Sequence, residues 1–330
     1  MNLPLKDVAL AAVIEPRLAL VEERLRDAVS QKDALADATS RHLVDAGGKR
    51  LRPALTLLTA QLGDGARPEV LDAAVVVELT HLATLYHDDV MDSAPTRRGV
   101  TSAHEVWGNS VAILTGDLLF ARAARVVAGL GPEAVRIQAE TFERLCLGQL
   151  RETVGPPHGA DPIDHYLGVL TDKTGSLIAT AARFGAMFGG CESAIVRQVS
   201  DYGERAGVAF QLADDVIDLK STGKVTGKTP GTDLRERVAT MPVLLLRRRV
   251  AEGADSADAE LVASIDGDLS DDDALVGVVA ALSAHDVIEE TIALAREWAG
   301  RAKDAIGDLP PGDVKEALLG FADHLVARVA

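Results

Sequence analysis

An acidic string occurs twice inside sequence that otherwise reads as buried helix: Asp88-Asp89-Val90-Met91-Asp92 and Asp214-Asp215-Val216-Ile217-Asp218. In each copy the first and last Asp are four residues apart, one helical turn apart on the same face. Carboxylates at that spacing repel, and three of them among apolar neighbours are expensive to desolvate. A chain that carries this arrangement twice needs a neutralising partner, which a divalent cation supplies. Mg2+ takes oxygen ligands and is commonly held by one or two carboxylates plus substrate phosphates and water. The sequence therefore predicts Mg2+ and a phosphorylated ligand. Two such helices facing each other would ring a shared cavity with carboxylates, as in bundle-core metal sites. The plainer alternative makes each string a solvated helix end, but acids are disfavoured at the negative end of a helix dipole.

Apolar residues recur at helical spacing almost throughout, and no run alternates convincingly between apolar and polar. The 330 residues are 47% hydrophobic and only 3% aromatic, dominated by Ala, Leu and Val, which favours packed helices over sheets. Residues 18–46 predict one or two amphipathic helices ended by Gly47-Gly48, and Pro53 suits the first turn of the next. A long apolar helix is predicted from Glu69 to Met91, and Ser93–Gly99 as a loop or short turn. Further helices are predicted over Asn109–Leu130, Pro132–Glu152, Ile163–Phe188 and Ala194–Leu219. Gly223, Gly227, Pro230 and Gly231 make a basic loop before a helix starting near Pro242. With no repeat, low-complexity tract or linker, the prediction is a single all-α domain over residues 1–330.

Composition narrows the function further. A formal charge of -16 argues against a nucleic-acid partner, whose phosphates would be repelled. Much of that acid is late (Asp255, Asp258, Asp266, Asp268, Asp271, Asp272, Asp273) and reads as solvated surface between helices. Cys146 and Cys191 offer neither a disulfide framework nor a CxxC pair, so a reducing cytoplasm is expected. The N-terminus lacks the plan of a signal peptide, and no apolar stretch is long enough to span a bilayer. Glu78-x-x-His81 matches half of a di-iron motif, but no other histidine has a Glu three residues before it. His87, His104, His158 and His165 show no zinc spacing.

The positive charges are placed selectively. Lys49-Arg50-Leu51-Arg52 stands at a predicted helix start, where backbone N–H groups already favour an anion. Arg97-Arg98 follows the first acidic string, and Lys220, Lys224 and Lys228 follow the second. Basic clusters beside carboxylate clusters make sense if diphosphates bridge them, with metal on one side and Lys or Arg on the other.

In these residues the sequence resembles the trans-isoprenyl diphosphate synthases, or polyprenyl synthetases, most of all the long-chain polyprenyl diphosphate synthases. The matching strings run in order: Gly47-Gly48-Lys49-Arg50-Leu51-Arg52-Pro53, His87 to Asp92 followed by Arg97-Arg98-Gly99, Gly116-Asp117, Lys173-Thr174, Phe210 to Asp218, Gly227-Lys228 and Asp233-Leu234. They span residues 40–245, the motif-bearing core. The resemblance implies an all-helical bundle around a deep central cavity, a homodimer, and about three Mg2+ ions per site. Asp88, Asp92, Asp214 and Asp218 would hold the metal. Arg97, Lys173, Thr174, Gln211 and Lys228 would grip an allylic diphosphate, farnesyl or geranylgeranyl. Lys49, Arg52, His81 and Arg98 would bind isopentenyl diphosphate. Asp88, Asp92, Asp214, Lys173 and Lys228 would carry the catalysis. In one departure, Glu236-Arg237-Val238 stands where the family has Glu-Gly-Lys, with Arg237 a candidate substitute for the missing lysine.

The implied reaction is head-to-tail condensation, with metal activating the leaving diphosphate and an apolar cavity, closed by the Lys224–Gly231 loop, excluding water. Product length should follow how far that cavity runs beneath Asp88. Ala83 and Thr84, about one turn below, are small and leave it open, and the first string lacks the insertion of some short-chain relatives. A product of about C30 to about C50 is therefore expected, released with transient membrane contact. The alternatives are a C15–C20 synthase, with Ala83 and Thr84 packed against a neighbouring helix, and the catalytic subunit of a heteromer. A full second DDxxD argues against a terpene cyclase.

Overall fold

Capping side chains and prolines set several of the helix starts. The computed structural model describes residues 8–220, 230–253 and 255–329, so Lys224, Gly227 and Lys228 lie outside the described residues. The chain opens with α1 (Val8–Val29), α2 (Ala34–Asp45), α3 (Leu51–Ala60) and α4 (Pro68–Met91), then β1 (Thr96–Arg97) and β2 (Val100–Thr101). There follow α5 (Ala103–Trp107), α6 (Asn109–Ala128), α7 (Pro132–Val154), α8 (Pro162–Leu170), a π-helical turn (Thr171–Gly175), α9 (Ser176–Phe188) and α10 (Ser193–Lys220). The last third holds α11 (Thr232–Arg235), α12 (Met241–Ala251), α13 (Ser256–Ile265), α14 (Asp272–Ser283), α15 (Val287–Ala305) and α16 (Asp313–Ala327). Asp33 and Asp161 cap α2 and α8 by accepting backbone N–H bonds, and Pro68 and Pro162 fill first-turn positions whose N–H would have no helical partner. Asp255 caps α13 in the same way, and Asp271 is the N-cap residue of α14. Those two late acids therefore open helices rather than merely solvating the surface.

Two local features depart from the sequence reading. The supposed loop 93–99 enters an antiparallel hairpin, with Thr96 opposite Thr101 and Arg97 opposite Val100. Arg98 (φ 54°) and Gly99 (φ 80°) make its turn; two successive positive φ values define a type I′ turn, whose twist suits a hairpin. Strands of two residues are too short to show alternation. The predicted helix over Ile163–Phe188 is interrupted by the π turn at Thr171–Gly175. Such turns concentrate at functional sites, and this one carries Lys173 and Thr174.

The chain divides into two compact units. The first comprises Met1–Leu145, Ser176–Glu204 and Asp304–Phe321. Its centre is α4, which is buried nearly all round from Val70 to Ala83 and packs on α1, α3, α6 and α9. A helix apolar on every side needs neighbours on every side. Helices α3 and α9 approach closely enough for Thr56 Oγ1 to donate to Ala181 O (3.0 Å) and Thr59 Oγ1 to Ala182 O (3.0 Å). A Cβ at Gly185 would overlap both Thr56 O and Thr59 Oγ1.

The second unit comprises Cys146–Gly175, Arg205–Lys303 and Ala322–Ala330. Val208, Leu212, Val216 and Leu219 of α10 pack there with Met241 and Leu245 of α12, Leu282 of α14 and Ile288 and Ile292 of α15. That apolar stripe leaves Gln211, Asp214 and Asp218 half-buried on an adjoining face of α10.

Gly185→Ala should lower stability by about 1–3 kcal/mol through overpacking of the α3–α9 contact. A urea melt reads this directly. An unchanged midpoint would show that the two helices can part without cost.

Candidate active site

The first acidic string closes α4. Asp88 and Asp92 are half-buried, whereas Asp89 is fully buried. The helix holds the outer pair in register, the Asp92 N–H donating to Asp88 O at 2.8 Å. Arg97, from β1, donates through Nε to Asp89 Oδ1 at 2.6 Å, and Asp89 Oδ2 is buried without a hydrogen-bond partner. Burial pushes the Asp89 carboxyl above the usual carboxylate range, against the pull of Arg97. His87 packs beside this turn, its Nε2 lying 3.0 Å from Ile113 O and 3.3 Å from Asp117 Oδ1. A Cβ at Gly116 would overlap that ring, which gives the Gly116-Asp117 string a local reason.

A basic cluster lies in the same unit. Arg98 donates to Leu43 O (3.1 Å), to Gly47 O and to Glu78 Oε1 (3.4 Å). Arg52 is half-buried with a buried, partnerless Nε. Burial pushes its guanidinium down to about 10, with Glu78 attracting and Arg98 opposing the charge; it is still protonated at neutral pH. Burial and the surrounding Arg52, Arg98, Arg97 and Arg50 hold His81 well below the ordinary imidazole value, hence neutral. Lys49 is exposed. Below Asp88, Ala83 is fully buried with its carbonyl against Gly116, and Thr84 is half-buried with Oγ1 donating to His81 O at 2.8 Å.

The second string repeats the pattern inside its own unit. Asp215 is buried, accepting from Tyr166 Oη (2.9 Å) and Met241 N (3.2 Å) on the same oxygen. Its other oxygen is buried and partnerless, and burial pushes the carboxyl well above the usual range. Asp214 pairs with Arg328 (2.9 Å), whose guanidinium also sits over the Phe210 ring. Asp218 accepts on its carbonyl from Gly231 N (3.0 Å) and on its side chain from Asp233 N (3.4 Å). Thr174 Oγ1 donates to Gln211 Oε1 at 3.3 Å, and Lys173 pairs with Glu152. Arg237 is exposed and left-handed (φ 60°), with Nη2 3.4 Å from Gly267 O.

These donor sets fit a hard divalent cation. Each string turns its middle carboxylate inward and keeps two half-buried carboxylates one turn apart. Among the described residues no three His, Cys, Asp or Glu side chains gather as a ready-made ligand set. Mg2+ needs no such cage when substrate oxygens and water complete its octahedron. The sequence reading missed Glu78 as an arginine partner, together with Tyr166, Glu152 and Arg328. Only Glu78 carried a signal, in its spacing from His81.

A family model described as polyprenyl synthetase matches residues 33–275. The chain is 43% identical to a nonaprenyl diphosphate synthase of Mycobacterium tuberculosis over 98% of its own length and 96% of that protein. A polyprenyl synthase from Caulobacter crescentus, solved with calcium and isoprenyl diphosphate, is similar at TM-score 0.88 and 33% identity, with 97% of each chain covered. A geranylgeranyl pyrophosphate synthase from Corynebacterium glutamicum, solved with the same ligands, gives 0.86 at 42% identity over 98% of this chain and 99% of that one.

Tyr166→Phe removes a donor from the buried Asp215 carboxylate. It should cost about 1–3 kcal/mol in a denaturant melt; full retention of stability would mean that Asp215 needs no such anchor.

Proposed function

We infer what the enzyme makes from one premise: the chain belongs to the polyprenyl synthetase family and is an all-α prenyltransferase that elongates prenyl chains. It condenses isopentenyl diphosphate with an allylic diphosphate, farnesyl or geranylgeranyl, to an all-trans product of about C30 to about C50. The observation that carries this reading is the half-buried outer aspartate pair at each string, with basic side chains in the same unit. The length is supported by the likeness to the nonaprenyl synthase and by the small residues Ala83 and Thr84 on α4. A shorter C20 product is the second reading, favoured by 42% identity to the geranylgeranyl synthase.

Asp88, Asp92, Asp214 and Asp218 hold Mg2+, about three ions as in the family. When bound, Mg2+ supplies Lewis acidity and positive charge at the leaving diphosphate. Arg97, Lys173, Thr174 and Gln211 orient the allylic diphosphate, and Lys228 is assigned the same role. Lys49, Arg52, Arg98 and the neutral His81 bind the isopentenyl diphosphate, guanidinium forks matching its oxygens. Ionisation of the allylic C–O bond releases diphosphate and leaves a cation that water would quench, so apolar surroundings leave attack to the isopentenyl double bond. The cation formed by that C–C bond then loses a proton, with the departed diphosphate as its acceptor. The single catalytic domain takes in both units, since the family match runs through each.

The working form is a homodimer. Its support is large apolar side chains left exposed on two helices, Ile113 and Leu114 on α6 and Phe142, Leu150 and Val154 on α7. The proposed location is the cytoplasm, in keeping with two free thiols, Cys146 and Cys191. No helix among the described residues is long and apolar enough to cross a membrane.

Asp88→Ala should lose about three decades of kcat/KM, roughly 4 kcal/mol of transition-state stabilisation. Near-normal turnover would remove Asp88 from the metal site. Product sizing with purified enzyme, farnesyl diphosphate, isopentenyl diphosphate and Mg2+ tests the length. Thr84→Phe should shorten the product, and an unchanged chain would put the floor elsewhere. Ala83→Phe is the poorer probe, because Ala83 already packs against Gly116.

A further inference from the structure

Glu78 is almost fully buried on α4, three residues before His81. A lone carboxylate there would be costly, and this one is surrounded by guanidinium groups. Its Oε1 accepts from Arg50 Nη1 at 2.8 Å and from Arg98 Nη2 at 3.4 Å. It also acts electrostatically on Arg52. The three arginines are not equivalent. Arg50 is spent inward, with Nε on Glu22, Nη2 on Glu22 Oε2 (3.2 Å) and on Val44 O (3.0 Å), and Nη1 on Glu78. Arg52 keeps a buried Nε with no partner. Arg98 is held through Nη1 by two carbonyls and through Nη2 by Glu78.

Two of these arginines also have strained backbones. Arg50 (φ 45°) and Arg98 (φ 54°) both adopt left-handed conformations, which non-glycine residues take at a cost unless their surroundings enforce them. Gly48 leaves the space for Arg98, since a Cβ there would come 2.8 Å from Arg98 Cζ. Strain, a cleared approach and a buried carboxylate converge on one outcome, a fixed Arg98 guanidinium within electrostatic reach of Arg52.

We propose that Glu78 is a positioning residue for isopentenyl diphosphate: with Arg50 as its saturated counter-ion, it fixes Arg98 so that Arg98 and Arg52 grip one diphosphate. The proposal rests on the roles of Arg52 and Arg98 given above. Glu78 itself touches no substrate. Its charge and its geometry pull in opposite directions, which makes the role testable. As a mere negative charge near the site, Glu78 would repel the diphosphate, and removing the charge would tighten binding. As the anchor of Arg98, its neutralisation frees a guanidinium to swing away from Arg52, and binding weakens.

The test is steady-state kinetics on the full-length Glu78→Gln enzyme with each substrate varied in turn, alongside its thermal midpoint. The KM for isopentenyl diphosphate should rise about tenfold or more, with the allylic KM and kcat within about threefold. Glu78→Asp, which keeps the charge, should recover part of the loss. An unchanged or lower isopentenyl KM in Glu78→Gln overturns the proposal. So does a parallel loss in both KM values and kcat, the mark of a core lesion. Arg52→Gln and Arg98→Gln serve as controls. If they leave the isopentenyl KM unchanged, the site assignment fails. If they raise it while Glu78→Gln does not, only the role of Glu78 fails.

Discussion

Burying the middle carboxylate of each acidic string fixes what the other two can do. Asp89 is tied to Arg97 and Asp215 to Tyr166 and the Met241 amide. Apolar packing sets the rotation of each helix and these bonds keep its middle carboxylate inward, so the outer aspartates, one turn apart, stay half-buried on a common face. Without the inward anchor, three carboxylates in five residues would repel one another and find their own solvation. With it, each string becomes a pair of oxygen donors of defined orientation, which is what a small, hard cation demands. The local architecture serves these anchors: β1 delivers Arg97, α8 delivers Tyr166, and the start of α12 delivers the Met241 amide.

The basic side is organised by the same economy of charge. The strained turn at Arg98 and the left-handed Arg50 both lead guanidinium groups to Glu78. Arg52, which has no hydrogen-bonded carboxylate partner at Nε, and the neutral His81 then offer an anion a charge and a neutral ring. An anion can replace at Arg52 the interactions that burial has stripped from it, which a fully paired arginine such as Arg50 cannot offer.

Much of this was legible in the sequence, for physical reasons that can be named. A spacing of four on a helix puts Asp88 with Asp92 and Asp214 with Asp218, whatever the surrounding fold. Pro53, Pro132 and Pro242 stand in the first turns of helices the sequence already placed there. The hairpin was not legible, because two-residue strands carry no period. The π turn was hidden because Thr171–Gly175 sits between two helix-forming runs that share one apolar pattern. The anchors were hidden by distance along the chain: Tyr166 lies 49 residues from Asp215, and Arg50 lies 28 from Glu78. Glu78 is the instructive case: its spacing from His81 matched only half of a di-iron motif, and nothing in the sequence named Arg50 and Arg98 as its partners. Role by role, the substrate contacts came from the family resemblance and not from spacing.

Anomalous diffraction from crystals of the enzyme grown with Mn2+ and inorganic pyrophosphate shows which carboxylates take the metal. Anomalous peaks are expected at ligand distance from Asp88, Asp92, Asp214 and Asp218, with Asp89 still on Arg97 and Asp215 still on Tyr166. Peaks coordinated by Asp89 or Asp215, or metal bound away from both strings, would contradict that assignment.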